Sequence, residues 1–309
     1  MKNQEIQFVI ISADKSRKNL MQKQFVDLGL NSIFNIHYDD AIVVDNSPYE
    51  FKLKYSLFPE SDRTICCFLS HVKAMKWYLE NSNCPYLLLL EDDCAIQKIN
   101  FQQNLLELIP QFRKKEFDYI SLGYITKNVS NFFLKNPLIK KDKNVYWNLY
   151  KSYLHVIWGA QAQLFPRNII EFYLSIYDKG TTKEIYQSIF SYLDKNEFYY
   201  VNPPRLQIDG LNGLLKHQAI VCPPLVIELN NTESLICTGN YQKWEEGAIK
   251  KLYKLSDYYS YDEKDDNLIL NKKFKAFTPN IFKNFLEMRF RFGIKSELEW
   301  KDIQDKFEY

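Results

Sequence analysis

Three adjacent carboxylates, Glu91-Asp92-Asp93, follow directly on the apolar run Pro85-Tyr86-Leu87-Leu88-Leu89-Leu90. The run has no polar–apolar alternation, which is the pattern of a central strand covered on both faces. In open α/β sheets, ligands bind beyond the carboxyl ends of the strands. Adjacent acids repel one another, and either solvent or a divalent cation relieves them. Mg²⁺ and Mn²⁺ take carboxylate oxygens. On an extended chain alternate residues point the same way, so Glu91 and Asp93 are expected to face one site. A metal held there can bridge a diphosphate and stabilise it as a leaving group. A solvated turn after a strand would carry the same triplet.

Four other places have residue types that could serve such a reaction. Arg17 opens a helix after the first strand, and helix N-termini and guanidinium groups both favour anions such as a diphosphate. A solvated surface arginine is the alternative. Ser70-His71 lies on a helix ahead of the acidic strand, either beside a nucleotide or in helix–strand packing. Asp209 lies in the loop Asn202-Pro203-Pro204-Arg205-Leu206-Gln207-Ile208-Asp209-Gly210. It is either the N-cap of a short helix over 210–216 or a carboxylate placed to take a proton from a reacting hydroxyl. Trp158 either packs in the core or stacks on a bound ring.

The elements that must position these residues read as an α/β chain. Gln7-Phe8-Val9-Ile10-Ile11-Ser12 is a buried strand, and Ser12 to Ser16 a capping turn. A helix runs from about Arg17 to Leu28 and stops at Gly29, and Ile33 to Tyr38 is a second strand. This βαβ opening predicts a parallel sheet. Further helices are expected over Thr64 to Glu80, Leu105 to Lys115, Arg167 to Tyr177 and Glu184 to Asp194. Asp118 to Gly123 is a strand. Thr126 to Tyr150 reads as a loop, and His155 to Phe165 as a strand pair turning at Gly159. The strand Ala219 to Glu228 is broken by Pro223-Pro224 and is expected at a sheet edge. Residues 1–240 are expected to form one α/β domain. Residues 241–309 form a helical C-terminal extension, with helices near Ile281 to Phe292 and Leu298 to Phe307.

The chain has 309 residues, with 40 Lys plus Arg against 38 Asp plus Glu, a net charge of +2. That balance gives no support for a nucleic-acid protein working through a basic surface. With 46% hydrophobic and 25% charged residues, the chain is a folded globular protein rather than a disordered one. A mean hydropathy of −0.37 and the lack of a long apolar run argue against a spanning helix. No apolar signal segment follows Met1, so a cytoplasmic setting is expected. The 6 cysteines form no C-x-x-C pair and no zinc-type spacing with the 4 histidines. They read as reduced, mostly buried thiols.

Several blocks together resemble glycosyltransferase family 25, which includes bacterial lipooligosaccharide galactosyltransferases and procollagen galactosyltransferases. They are Cys66-Cys67-Phe68-Leu69-Ser70-His71 followed by the strand into Glu91-Asp92-Asp93, the opening strand with Ser12 and Ser16-Arg17, and Trp158-Gly159-Ala160-Gln161-Ala162 with Pro166-Arg167. Ile208-Asp209 with Leu211 and the strand at Pro223-Pro224-Leu225 complete the set, so the resemblance covers residues 5 to 235. Cys66, Ala160, Gln163 and Pro166 stand where the family blocks carry Gly, Thr, Tyr and Ser.

The resemblance implies a GT-A-type nucleotide-sugar fold with a mostly parallel central sheet. It implies inverting transfer of galactose or glucose from a UDP-hexose, with Mn²⁺ or Mg²⁺, to a hydroxyl of a glycan or hydroxylysine-type protein acceptor. Asp93 would be the main metal ligand, with Glu91 or Asp92 supporting the metal or the ribose. Ser12, Arg17, Ser70 and His71 would lie on the nucleotide side. His217 would be a late metal ligand, with a plain surface histidine as the alternative, and Asp209 the base. The enzyme would act in the cytoplasm, peripheral to a membrane that carries its acceptor. A protein of the same fold that binds the sugar nucleotide without turnover is the alternative, and the intact acidic triplet favours the enzyme.

Overall fold

The computed structural model describes residues 3–43, 62–98, 100–115, 117–123, 148–152, 159–179, 217–222 and 224–228, with isolated positions at 184–185, 188, 191 and 215. The expected helical extension over 241–309, Trp158 and Asp209 lie outside the described residues.

Among the described residues, seven strands make the main sheet. β1 (Ile6–Ser12) leads through α1 (Lys15–Asp27) to β2 (Asn35–Asp40). Then come α2 (Asp62–Asn81), β3 (Tyr86–Glu91), the short β4 (Cys94–Ile96), α3 (Phe101–Lys115) and β5 (Tyr119–Gly123). β6 (Asn148–Ser152), β7 (Ala162–Pro166), α4 (Arg167–Tyr177), β8 (Gln218–Cys222) and β9 (Val226–Glu228) follow. The strand order is β2-β1-β3-β7-β5-β8-β6, and β4 and β9 form a separate two-stranded ribbon. β7 and β6 run against the other five strands. The α/β architecture with a mostly parallel central sheet, as expected of a GT-A-type fold, is thus present.

The unalternating apolar runs follow from helices on both faces. Val9, Ile11, Leu87 and Leu89 point to one core, shared with Ile65, Phe68, Val72 and Met75 of α2 and Ile170 and Tyr173 of α4. Phe8, Ile10, Leu88 and Leu90 point to the other, shared with Met21 and Phe25 of α1 and Leu105, Leu108 and Phe112 of α3. β1 and β3 therefore bury both their odd and their even residues.

Local chemistry sets the ends of these elements. Asp14 caps α1, accepting from the Arg17 amide at 2.9 Å. Gly29, at φ +68, takes the left-handed conformation that follows the helix. Arg167 closes α2 from outside: its Nη1 donates to the Ser82 carbonyl at 2.6 Å and its Nη2 to the Leu79 carbonyl at 2.9 Å. A guanidinium there satisfies the orphan carbonyls of the helix and complements its dipole. Gln24 of α1 reaches β4, where its Nε2 donates to the Cys94 carbonyl at 2.7 Å and its Oε1 accepts from the Ile96 amide at 3.0 Å.

Two expectations need correction. Residues 148–150, read as loop, begin β6. Of the strand pair expected over 155–165, residues 155–158 lie outside the described residues, and the second strand is present from Ala162, after Gly159 at φ +113. Of the strand broken by the double proline, the first half is not at a sheet edge, whereas the second half is. Its first half, β8, lies between β5 and β6, and its second half, β9, pairs with β4. The prolines fall between the two strands, where no ladder amide is required.

Gly123, the last residue of β5, packs so close to β9 that a Cβ there would meet the Val226 carbonyl oxygen at 2.7 Å. Gly123→Ala should therefore cost about 1–3 kcal/mol, the usual range for overpacking a filled core. Urea denaturation of the two proteins tests this, and an unchanged midpoint would show that the seam between sheet and ribbon yields freely.

Candidate active site

The site begins with register. β1 and β3 are parallel neighbours in which Ile11 pairs with Glu91, so the next residues of each, Ser12 and Asp92, emerge side by side. Both strands end here, at the carboxyl edge of the sheet. Asp92 accepts from the Ala13 amide at 2.7 Å and from the Ser12 hydroxyl at 3.0 Å. Arg17, one turn into α1, brings its Nη1 to 3.5 Å from Asp92 Oδ1 and 3.9 Å from Asp93 Oδ2. Its Nε is 3.5 Å from Asp14. Arg17 and Asp92 are both buried, at 8% and 3% exposure.

Burial raises the Asp92 carboxyl above its ordinary range, while the Ala13 amide, Arg17 and Ser12 pull it back. Burial and the neighbouring Asp92 charge push Asp93 up to about 6, opposed by Arg17. Asp93 Oδ1 is buried and accepts no hydrogen bond. A buried carboxylate oxygen without a donor is costly, and a bound cation satisfies it.

Glu91 takes a different direction. Its Oε1 lies 3.6 Å from His71 Nε2 and 3.7 Å from the Cys67 thiol. The expectation that Glu91 and Asp93 face one site is therefore corrected. Alternation holds only on an extended chain, and β3 ends at Glu91, with Asp92 and Asp93 forming a turn. The turn sends Asp93 to Arg17, while Glu91 stays on the α2 side of the sheet.

The remaining expected residues separate in the same way. Ser70 is buried on α2; its hydroxyl donates to the Cys66 carbonyl at 2.7 Å and accepts from the Ile42 amide at 2.8 Å. It anchors the chain leaving β2 beside the same sheet edge. His71 is 1% exposed, and burial lowers it to about 4, so its ring is neutral. Arg17 is the third residue of α1, and its guanidinium is turned in toward the chain's own carboxylates. His217 is at the wrong end of the sheet for a shared metal. Ala219 is level with Ile120, Leu164 and Leu88 through successive pairings, which puts His217 level with Tyr86. Glu91 is five residues further along, about 17 Å at strand rise. Its exposed position at the start of β8 is set by backbone bonds to Asp118.

Cys67 is the residue that sequence reading passed over. Its signal was the i, i+4 spacing to His71 on a helix recognised as such.

The sequence profile of glycosyltransferase family 25, described as an LPS biosynthesis protein family, matches residues 5–164. The chain belongs to glycosyltransferase family 25. It is a glycosyltransferase, and as such takes a sugar donor and an acceptor. The matched span holds Ser12, Arg17, Cys67, Ser70, His71 and the acidic triplet. Curated protein sequences include no match to the family 25 chain.

Among solved structures it is similar to a glycosyltransferase involved in glycosylation of the major capsid of PBCV-1, at 10% identity and TM-score 0.35, covering 77% of this chain and 98% of that one. It is similar to galactosyltransferase LgtC in complex with donor and acceptor sugar analogs, at 12% identity and TM-score 0.34, covering 79% and 95%. Mouse xyloside xylosyltransferase 1 overlaps at 8% identity and TM-score 0.33, covering 68% and 81%. Overlaps this loose bear on neither substrate nor mechanism. Among the described residues, no helix is long and apolar enough to cross a membrane.

Arg17→Met should cost about 3 kcal/mol at pH 7, because it leaves two adjacent buried carboxylates without their cation. Both carboxyls have folded pKa values above their unfolded ones, so their ionisation weakens the fold as pH rises through roughly 4 to 6. Without Arg17 their ionisation is costlier still, and protonation relieves it. Denaturation curves should show a smaller gap between variant and wild type at pH 5 than at pH 7. Equal gaps would mean that Arg17 acts through packing alone.

Proposed function

We propose that this glycosyltransferase moves a hexose, galactose or glucose, from a UDP-sugar to a hydroxyl of a glycan or hydroxylysine-type protein acceptor, with inversion and with Mn²⁺ or Mg²⁺. The observation that supports the reading most is Asp93. Its Oδ1 is buried and unpartnered at the carboxyl end of a central strand, in a family whose members transfer sugars. A hard divalent cation fits a carboxylate in that condition. Bound there, the cation would neutralise the diphosphate as it leaves.

The chain's own residues do the rest. Asp92 ties Ser12 and Ala13 to the turn after β3, so the two strand ends that flank the donor hold a fixed spacing. Arg17 offsets the charge of Asp92 and Asp93, which lets a diphosphate approach without meeting two bare acids. Ser70 holds the segment after β2 at the same edge. Inversion needs a base on the opposite side of the anomeric carbon from the leaving group. Asp209 is the proposed base, taking the proton from the acceptor hydroxyl as it attacks. In this reading residues 1–240 are the transferase domain, 241–309 a helical extension packed on it, and the acceptor draws the enzyme to a membrane surface.

Asp93→Ala should abolish metal-dependent release of UDP from UDP-hexoses while the protein stays folded by circular dichroism. Turnover near the wild-type rate would refute the metal role. Asp209→Asn retains size and most hydrogen bonds but not the basic site. Its kcat should fall by about 10²- to 10⁴-fold with donor binding kept. Loss of stability at an unchanged rate per folded molecule would make Asp209 a helix cap. NMR of the product should show a β linkage, and an α linkage would overturn the inverting mechanism.

A further inference from the structure

Glu91, His71 and Cys67 form a cluster to which the transfer mechanism proposed above assigns no step. Cys67 and His71 are one turn apart on α2, and Glu91 ends β3 across from them. Each offers a ligand atom within 4.8 Å of the other two. Among the described residues it is the only group of three such side chains.

The hydrogen positions follow from the partners. His71 Nδ1 is 2.9 Å from the Cys67 carbonyl, which can only accept, so Nδ1 carries a proton. The ring is buried and neutral, so Nε2 presents a lone pair. It is buried and has no hydrogen-bond partner. What it faces is Glu91 Oε1, at 3.6 Å. Two acceptors directed at each other in a buried place repel unless something positive lies between them. Two of the three separations also fit a shared ion. Ligands on a tetrahedral zinc, at about 2.0–2.3 Å from the metal, stand about 3.3–3.6 Å from one another. The separations here are 3.6 Å from nitrogen to oxygen and 3.7 Å from sulfur to oxygen.

We infer that Cys67, His71 and Glu91 bind a transition-metal ion of the zinc class, distinct from the cation proposed at Asp93. The sulfur and imidazole ligands select a borderline-soft metal, whereas Mg²⁺ and Mn²⁺ prefer all-oxygen sites. The bond from Nδ1 to a backbone carbonyl is the support that metal-binding histidines have from their surroundings. It fixes the ring and aims Nε2 inward. Binding requires the Cys67 thiol to give its proton to solvent. Thiolate, carboxylate and neutral imidazole then balance a dication, so no net charge is buried. Glu91, with a fifth of its side chain exposed, leaves the fourth position open to water. The ion would clamp α2 to the end of β3, one residue before the Asp92–Asp93 turn.

The test is cobalt substitution in the full-length protein after treatment with a chelator. One equivalent of Co²⁺ should produce a thiolate-to-cobalt charge-transfer band, and Zn²⁺ should remove it by displacement. Cys67→Ser should lack the band, and Glu91→Gln should weaken Co²⁺ binding by at least about tenfold. Asp93→Ala should keep the band, so that failure here is separate from failure of the transfer reading. If Cys67→Ser does not fold, mass-mapped alkylation of Cys67 in the wild type serves instead, and Zn²⁺ should slow it. A band that survives in Cys67→Ser, cobalt binding with no thiolate band, or alkylation unaffected by Zn²⁺ overturns the inference.

Discussion

A strand that is apolar for five residues and then delivers three carboxylates sets the terms for everything around it. The apolar part must sit mid-sheet, because both of its faces need covering. The acidic part then emerges where the sheet ends, in a place too enclosed for water to screen the charges. Each carboxylate therefore has its own answer. Asp92 takes the amide and hydroxyl of the β1 terminus, Asp93 shares Arg17, and Glu91 leans to the His71 ring. The three are adjacent in sequence but lie in separate electrostatic surroundings, and that separation is what allows them different chemistry.

The surrounding fold is arranged to keep those answers fixed. The β1–β3 register brings Ser12 level with Asp92. Helix α1 starts one turn later because Asp14 caps it, and that start places Arg17 on its inner face. On the other side of the sheet, α2 carries both Ser70 and the Cys67–His71 pair. Its far end is held by Arg167, whose guanidinium also lies 5.3 Å over the Tyr78 ring. A displacement of α2 would move three side chains at the sheet edge at once. Packing at the far end of a helix thus bears on chemistry at the near end.

Much of this was legible in the residues themselves, for identifiable reasons. The β3 run announced its double burial by lacking alternation. α4 has the bounds its apolar spacing indicated, Arg167 to Tyr177, because Pro166 fixes its start. The acidic triplet pointed to the correct end of the correct strand. What failed depended on information that no local window holds. Alternation misplaced Asp93 because the chain turns at Asp92. His217 was misplaced because its level in the sheet is set by pairing with β5, a long-range fact. The double proline suggested an edge, yet it separates two strands that join different sheets. Cys67 was overlooked because the third member of its cluster, Glu91, is 24 residues away and meets it only through the packing of α2 on β3.

The two bonds that Gln24 makes to β4 have a consequence for how this molecule behaves in a crowd. Among the described residues, β4 is paired with β9 along one side only. On its other side the Gln24 carboxamide donates to the Cys94 carbonyl and accepts from the Ile96 amide, two residues on. That is the pattern a parallel neighbour's peptide group would supply. A side chain thus stands in for a missing strand, from within a helix that cannot be extended into a sheet. Exposed strand edges recruit other chains and seed aggregates. Here the edge is occupied by a group that ends the ladder, so one buried amide protects the ribbon from growing between molecules.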